Sequence, residues 1–163
     1  MSYPIADITF DLSVEGIDKA IQEINLIRTR LKPAMERLIN ELTKQGAVVA
    51  RAKLSMFDKP AYDTGTLASS ITSIPFDGEA GYVKTDCPYS IYVEFGTGPR
   101  GAGAPHPLGG GYRETGWKYY NERIGHVVFT YGMGSRPFMY STMRTIEEEA
   151  EARGGRIVAE YLA

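Results

Sequence analysis

The sequence predicts an α+β fold: a long N-terminal helical part, a small and mostly antiparallel β-sheet, and a C-terminal helix packed on it. Three observations carry this. Apolar residues recur at helical spacing from Ile17 to Leu42, drawing one stripe through Ile21, Ile24, Leu31, Met35 and Leu38. Short β-branched and aromatic stretches separated by turn residues fill the middle of the chain. Finally, Ser135 and Pro137 mark a helix start that Met139, Met143 and Ile146 continue at helical spacing. No segment repeats at a fixed period, so solenoids and propellers are not supported.

Taken in order, residues 6–12 alternate, with Ile8, Phe10 and Leu12 on one face and Asp7, Thr9 and Asp11 on the other, which predicts a half-buried first strand. Ser13 is placed to cap the helical part that follows. Pro33 lies inside it, and its missing N–H and ring clash cost about 3 kcal/mol in a helix interior, so a kink near Leu31 is expected, giving two helices or one bent one ending near Phe57. Mixed i,i+4 charges such as Arg37 and Glu41 solvate the outer face.

Beyond the linker at 58–65, TLASSI reads as one helical turn running into a strand near Ile71 and Ile74, and Asp77-Gly78 supplies turn chemistry. The next stretch, AGYVKTD, pairs back as a hairpin, and Pro88 opens a short helix that Gly96 ends. Residues 97–111, rich in glycine and proline with no apolar period, predict a flexible loop rather than a packed element. Past it, GWKYYNE and HVVFTYG flank Arg123-Ile124-Gly125 as a second hairpin. Gly154-Gly155 is expected to break the last helix before Ile157 and Leu162.

A chain of 163 residues with 43% apolar content fits a single domain spanning 1–163. Its formal charge of −2 offers no general attraction to polyanions. One cysteine, Cys87, makes no internal disulfide, and with only His106 and His126 beside it falls short of a structural zinc set. No apolar run approaches the length that spans a bilayer, so a soluble protein made in the cytoplasm, with no membrane partner, is expected.

Chemistry-bearing patterns are sparse. The glycine-rich stretch lacks the GK[ST] ending of a phosphate-binding loop. Neither histidine shows the spacing of paired metal ligands, and His106 reads as a solvated loop residue, His126 as a strand-edge one. Cys87 before Pro88 has no identifiable base partner, so a small hydrolase using Cys87 or His106 is the weakest reading. Aromatics interleaved with Arg100, Arg113, Lys118, Arg123 and Arg136 suit either single-stranded nucleic acid or, more commonly, a core or protein interface. No catalytic residue, metal ligand or cofactor is nominated.

The ordered set of motifs is more informative than any one of them. Thr64, Gly65, Leu67, Ser70 and Ile71 form a TGxLxxSI element; Tyr89, Tyr92, Val93, Glu94, Phe95, Gly96 and Thr97 form YxxYVEFGT; Arg136, Pro137 and Phe138 form RPF. In this order, across nearly the whole chain, they resemble the tail-completion, or head-to-tail joining, proteins found in the neck and among the minor tail proteins of long-tailed bacteriophages and prophages. That resemblance implies a structural virion protein and no enzyme. It would act as a ring of copies, often six, joining the tail to the head, with other neck and tail proteins as partners. Contact with genome DNA in the channel, as a nucleic-acid-contacting connector module, is the alternative kept beside it. The implied location is the virion neck or tail, after assembly in the host cytoplasm. Residues such as Leu67, Val93 and Phe138 also suit a plain core role. Within 97–111, with Arg113 just beyond, Arg100, His106 and Arg113 are candidates for contact with a neighbouring subunit.

Overall fold

The computed structural model describes residues 13–57 and 65–163. The expected strand at 6–12 and the linker up to Thr64 lie outside the described residues. The first helix, α1, runs from Val14 to Ser55, and its start is set where the sequence places it: Ser13 Oγ accepts the Gly16 N–H at 3.0 Å, with Glu15 in the first turn.

Pro33 does not divide this helix: of the two helices or one bent one that the sequence allows, the structure has a single helix. The penalty of one lost backbone bond is local, whereas Ala34 beside the proline is fully buried, and further along the helix Thr43, Gly46, Ala47, Ala50 and Leu54 are buried as well. These small residues let neighbours approach closely. A Cβ added at Gly46 would stand 2.8 Å from Val83 Cγ2.

TLASS forms the short helix α2 (Thr66–Ser70), which turns directly into β1 (Ile71–Ile74), as its sequence predicts. Strand β2 (Tyr82–Thr85) pairs antiparallel with β1, Ile71 opposite Thr85 and Ile74 opposite Tyr82. In the intervening turn, Asp77 Oδ1 accepts the N–H groups of Glu79 and Ala80, each at 3.0 Å. The hairpin is tied to α1 by Asn40 Oδ1, which accepts Phe76 N–H at 2.8 Å, and by Arg51, which donates to the Ile71 carbonyl. Ala47, Ala50, Leu54, Leu67, Ala68, Ile71, Cys87, Val93 and Phe138 make the core beneath. Burying each of its large aliphatic or aromatic side chains stabilises the fold by about 1.5–3 kcal/mol.

Helix α3 (Ser90–Phe95) follows and ends at Gly96, as expected. The stretch at 97–111 departs from expectation. It contains a helix, α4 (Gly98–Gly103), with Gly98 and Gly101 buried, followed by residues that are exposed up to Gly111 except for buried His106. Two of its glycines, Gly98 and Gly101, are spacing devices. A Cβ at Gly98, where φ is +60°, would fall 2.7 Å from both Trp117 Cζ3 and the Tyr131 carbonyl oxygen, and one at Gly101 would fall 2.7 Å from the Tyr112 ring.

The second hairpin pairs β3 (Trp117–Asn121) with β4 (His126–Thr130) through a turn containing Gly125. Among the described residues, the strands therefore form two separate two-stranded antiparallel sheets. Helix α5 (Phe138–Leu162) passes through Gly154-Gly155 unbroken, correcting the expected break. It lies along α1, where Arg37 Nη1 meets Glu160 Oε2 at 2.6 Å and a Cβ at Gly154 would meet Leu38 Cδ2 at 3.3 Å. Packing against α1 holds the glycine pair helical against its backbone entropy cost of about 1 kcal/mol per residue.

Candidate functional site: a buried carboxylate beneath apolar surfaces

Helix α5 begins after Pro137, which has no side-chain acceptor to satisfy the first turn. Glu94 of α3 supplies one from across the structure. Its Oε2 accepts Met139 N–H and its Oε1 accepts Tyr140 N–H, both at 2.9 Å. The carboxylate is thus the N-terminal cap of α5, its negative charge set against the positive end of the helix dipole.

Glu94 is 8% exposed, and its third partner is His106, only 3% exposed. Leu108 N–H donates to His106 Nδ1 at 3.0 Å, so the ring proton sits on Nε2 and is donated to Glu94 Oε1 at 3.1 Å. Phe95 and Tyr140 enclose the imidazole, with ring centroids 4.3 and 5.4 Å away. The solvated histidine expected from sequence is therefore a buried structural one. With three donors on its two oxygens, Glu94 is committed to capping.

Backbone bonds staple the same motifs together. Thr97 and Met133 form an antiparallel bridge, Thr97 N–H donating at 2.8 Å and Met133 N–H at 3.1 Å. Arg136 N–H donates to the Val93 carbonyl at 2.8 Å, and Ser135 Oγ donates to the Glu94 carbonyl at 2.9 Å. Gly96 leaves the room this requires, since a Cβ there would stand 2.6 Å from Ser135 N.

The structure thus brings Val93, Glu94, Phe95, Gly96, Thr97, Arg136, Pro137, Phe138 and His106 into one node. Gly65, Leu67 and Ser70 stand apart on the α2–β1 element, where Ser70 Oγ and Thr85 Oγ1 are 2.6 Å apart; Leu67 joins Val93 and Phe138 through the common core. Tyr89 and Tyr92 are exposed, as is Arg100, whose backbone N–H bonds the Tyr131 carbonyl; Arg113 stacks over Trp117 at 5.7 Å. Sequence reasoning missed Tyr112, whose hydroxyl accepts the His106 N–H at 3.0 Å and whose ring lies on Gly101. Its signal was a lone aromatic closing a glycine-rich run. Cys87 is a free thiol buried in the core. Exposed His126 caps its own turn, with Nδ1 3.0 Å from the Ile124 carbonyl oxygen.

Two apolar surfaces flank the node. Residues alternate along β3 and β4, so Lys118, Tyr120, Val127 and Phe129 share one face, and it points outward: Tyr120 is 60%, Val127 57% and Phe129 54% exposed. Tyr131 extends this face, packing edge-on against Phe129 at 5.0 Å. The second surface is a cleft of about 490 Å³ between α3, the segment after α4 and the start of α5, lined by Ile91, Phe95, Leu108, Phe138, Met139 and Met143.

No known protein family, curated protein or solved structure matches this chain. Among the described residues, no three His, Cys, Asp or Glu side chains gather as a metal-binding set, and no helix is long and apolar enough to cross a membrane.

Proposed function

We propose that this chain is a structural virion protein that completes a phage tail and joins it to the head, closing into a ring of copies. The ordered TGxLxxSI, YVEFGT and RPF elements suggest this role. The observation that carries it is the outward face of the β3–β4 hairpin, which holds Tyr120, Val127 and Phe129 in solvent. Large apolar side chains gathered on one exposed face mark a protein-contact surface. A closed ring needs two unlike patches on each subunit. The hairpin face and the apolar cleft beside α3 are two such patches, with Met139 and Met143 giving the cleft an adaptable lining. Glu94, His106 and the Arg136-Pro137-Phe138 turn serve assembly indirectly, by fixing the cleft walls.

Light-scattering mass and electron microscopy, with and without the neighbouring neck proteins, test the proposal. Wild-type protein should form rings and co-purify with those partners. The Val127→Glu, Phe129→Glu double variant should keep its fold and lose the rings. Rings that persist in a folded double variant, or a wild type that never forms closed oligomers alone or with neck proteins, would overturn the reading.

A further inference from the structure

Among the described residues, α1 extends past the elements packed on it. Helix α5 ends beside Arg30, whose Nη1 donates to the Leu162 carbonyl oxygen at 3.4 Å. The part of α1 from Val14 to Thr29 projects past that point, about 24 Å at about 1.5 Å per residue. Along the projection all residues except Gly16, Ala20 and Ile27 are exposed, including Ile17, Ile21 and Ile24.

These three exposed isoleucines lie on the stripe that continues through Leu31, Leu38 and Leu42, so this exposed surface extends the face that α5 occupies. The charges on the projection are also divided. Residues 14–23 carry Glu15, Asp18 and Glu23 against Lys19, a net of −2; residues 24–32 carry Arg28, Arg30 and Lys32 and no acid, a net of +3. Such a segment is complementary to itself only when two copies run in opposite directions.

We infer that α1 of one copy pairs antiparallel with α1 of a second copy through residues 14–32. The crossing falls near Glu23, which sets Ile21 against Ile24 of the second copy and Asp18 beside its Arg28. Parallel pairing would instead oppose like charges at both ends. The contact is isologous, whereas ring contacts are heterologous, so it uses a surface that the proposed ring does not and stands independently of the tail role. Its small extent places it among weak, transient interfaces, so association is expected only at high protein concentration.

Sedimentation equilibrium from about 1 to 500 μM should show the mass rising from 18.0 kDa towards twice that value. Ile21→Glu, Ile24→Glu should hold the protein monomeric over the whole range with an unchanged melting temperature, because both positions are exposed. Orientation is read by disulfide trapping, with native Cys87 buried. Val14→Cys protein mixed with Lys32→Cys protein should cross-link between the two, and neither should cross-link with itself. A wild type that stays monomeric, a dimer that survives the double substitution, or self-linked Val14→Cys would each overturn the inference. Rings formed by the Ile21→Glu, Ile24→Glu variant would leave the tail role standing on its own.

Discussion

Replacing Glu94 by alanine removes the acceptor for two backbone N–H groups at the start of α5 and for the His106 ring, all at a site only 8% exposed. Loss of a helix cap costs about 0.5–2 kcal/mol, and a hydrogen bond to a charged group contributes about 1.5–3 kcal/mol. The three bonds share one carboxylate and do not add fully, so a total of about 3–5 kcal/mol is expected from the lost cap and the buried donors left without an acceptor. For a domain of this size that corresponds to a melting temperature lower by about 6–20 °C. Glu94→Gln keeps one good acceptor but turns an amide NH₂ towards a donor, so it should fall between wild type and alanine. Urea unfolding followed by far-UV circular dichroism measures both variants. A double-mutant cycle with His106→Ala should show coupling of about 1 kcal/mol or more. A Glu94→Ala protein within about 0.5 kcal/mol of wild type would refute the reasoning, because the first turn of α5 would then have found other acceptors.

Gly132→Ala should destabilise by at least about 2 kcal/mol in the same assay, since φ is +83° there and a Cβ would land on the Thr97 carbonyl, opening the Thr97–Met133 bridge. Gly154→Ala should raise stability by about 0.5 kcal/mol, because the gain in helix propensity exceeds the cost of moving the end of half-buried Leu38 by a few tenths of an ångström; a loss above about 1 kcal/mol would show the α1–α5 contact to be rigid. The Asp77 carboxyl is held below its usual range by the backbone N–H groups of Ala80 and Glu79. Its contribution to stability is therefore present above about pH 4 and lost as pH falls through the lowered value. Acid titration of stability should be steeper in wild type than in Asp77→Ala, and identical acid limbs would count against the turn contact.

Much of the architecture was legible locally. Ser13 caps α1, Thr66–Ser70 turns into β1, Gly96 stops α3, and both hairpins lie where β-branched and aromatic runs flank turn residues, because each of these signals acts within a few residues of itself. Three features were not. Pro33 and Gly154-Gly155 carry local helix penalties of about 1–3 kcal/mol, which decide the outcome in an isolated helix but not where α1 and α5 bury a common face. The glycine-rich stretch reads as flexible because its partners, Trp117, Tyr131 and the Glu94 carboxylate, come from other elements.

The sequence by itself determined the element order, the apolar stripe of α1 and the YVEFGT and RPF motifs as separate signals. Only the tertiary structure joined those motifs, by setting the Glu94 carboxylate at the start of a helix more than forty residues further along the chain. No periodicity encodes such a bond. It exists because Pro137 leaves the first turn of α5 without an acceptor and a buried carboxylate needs donors, and each meets the other's requirement.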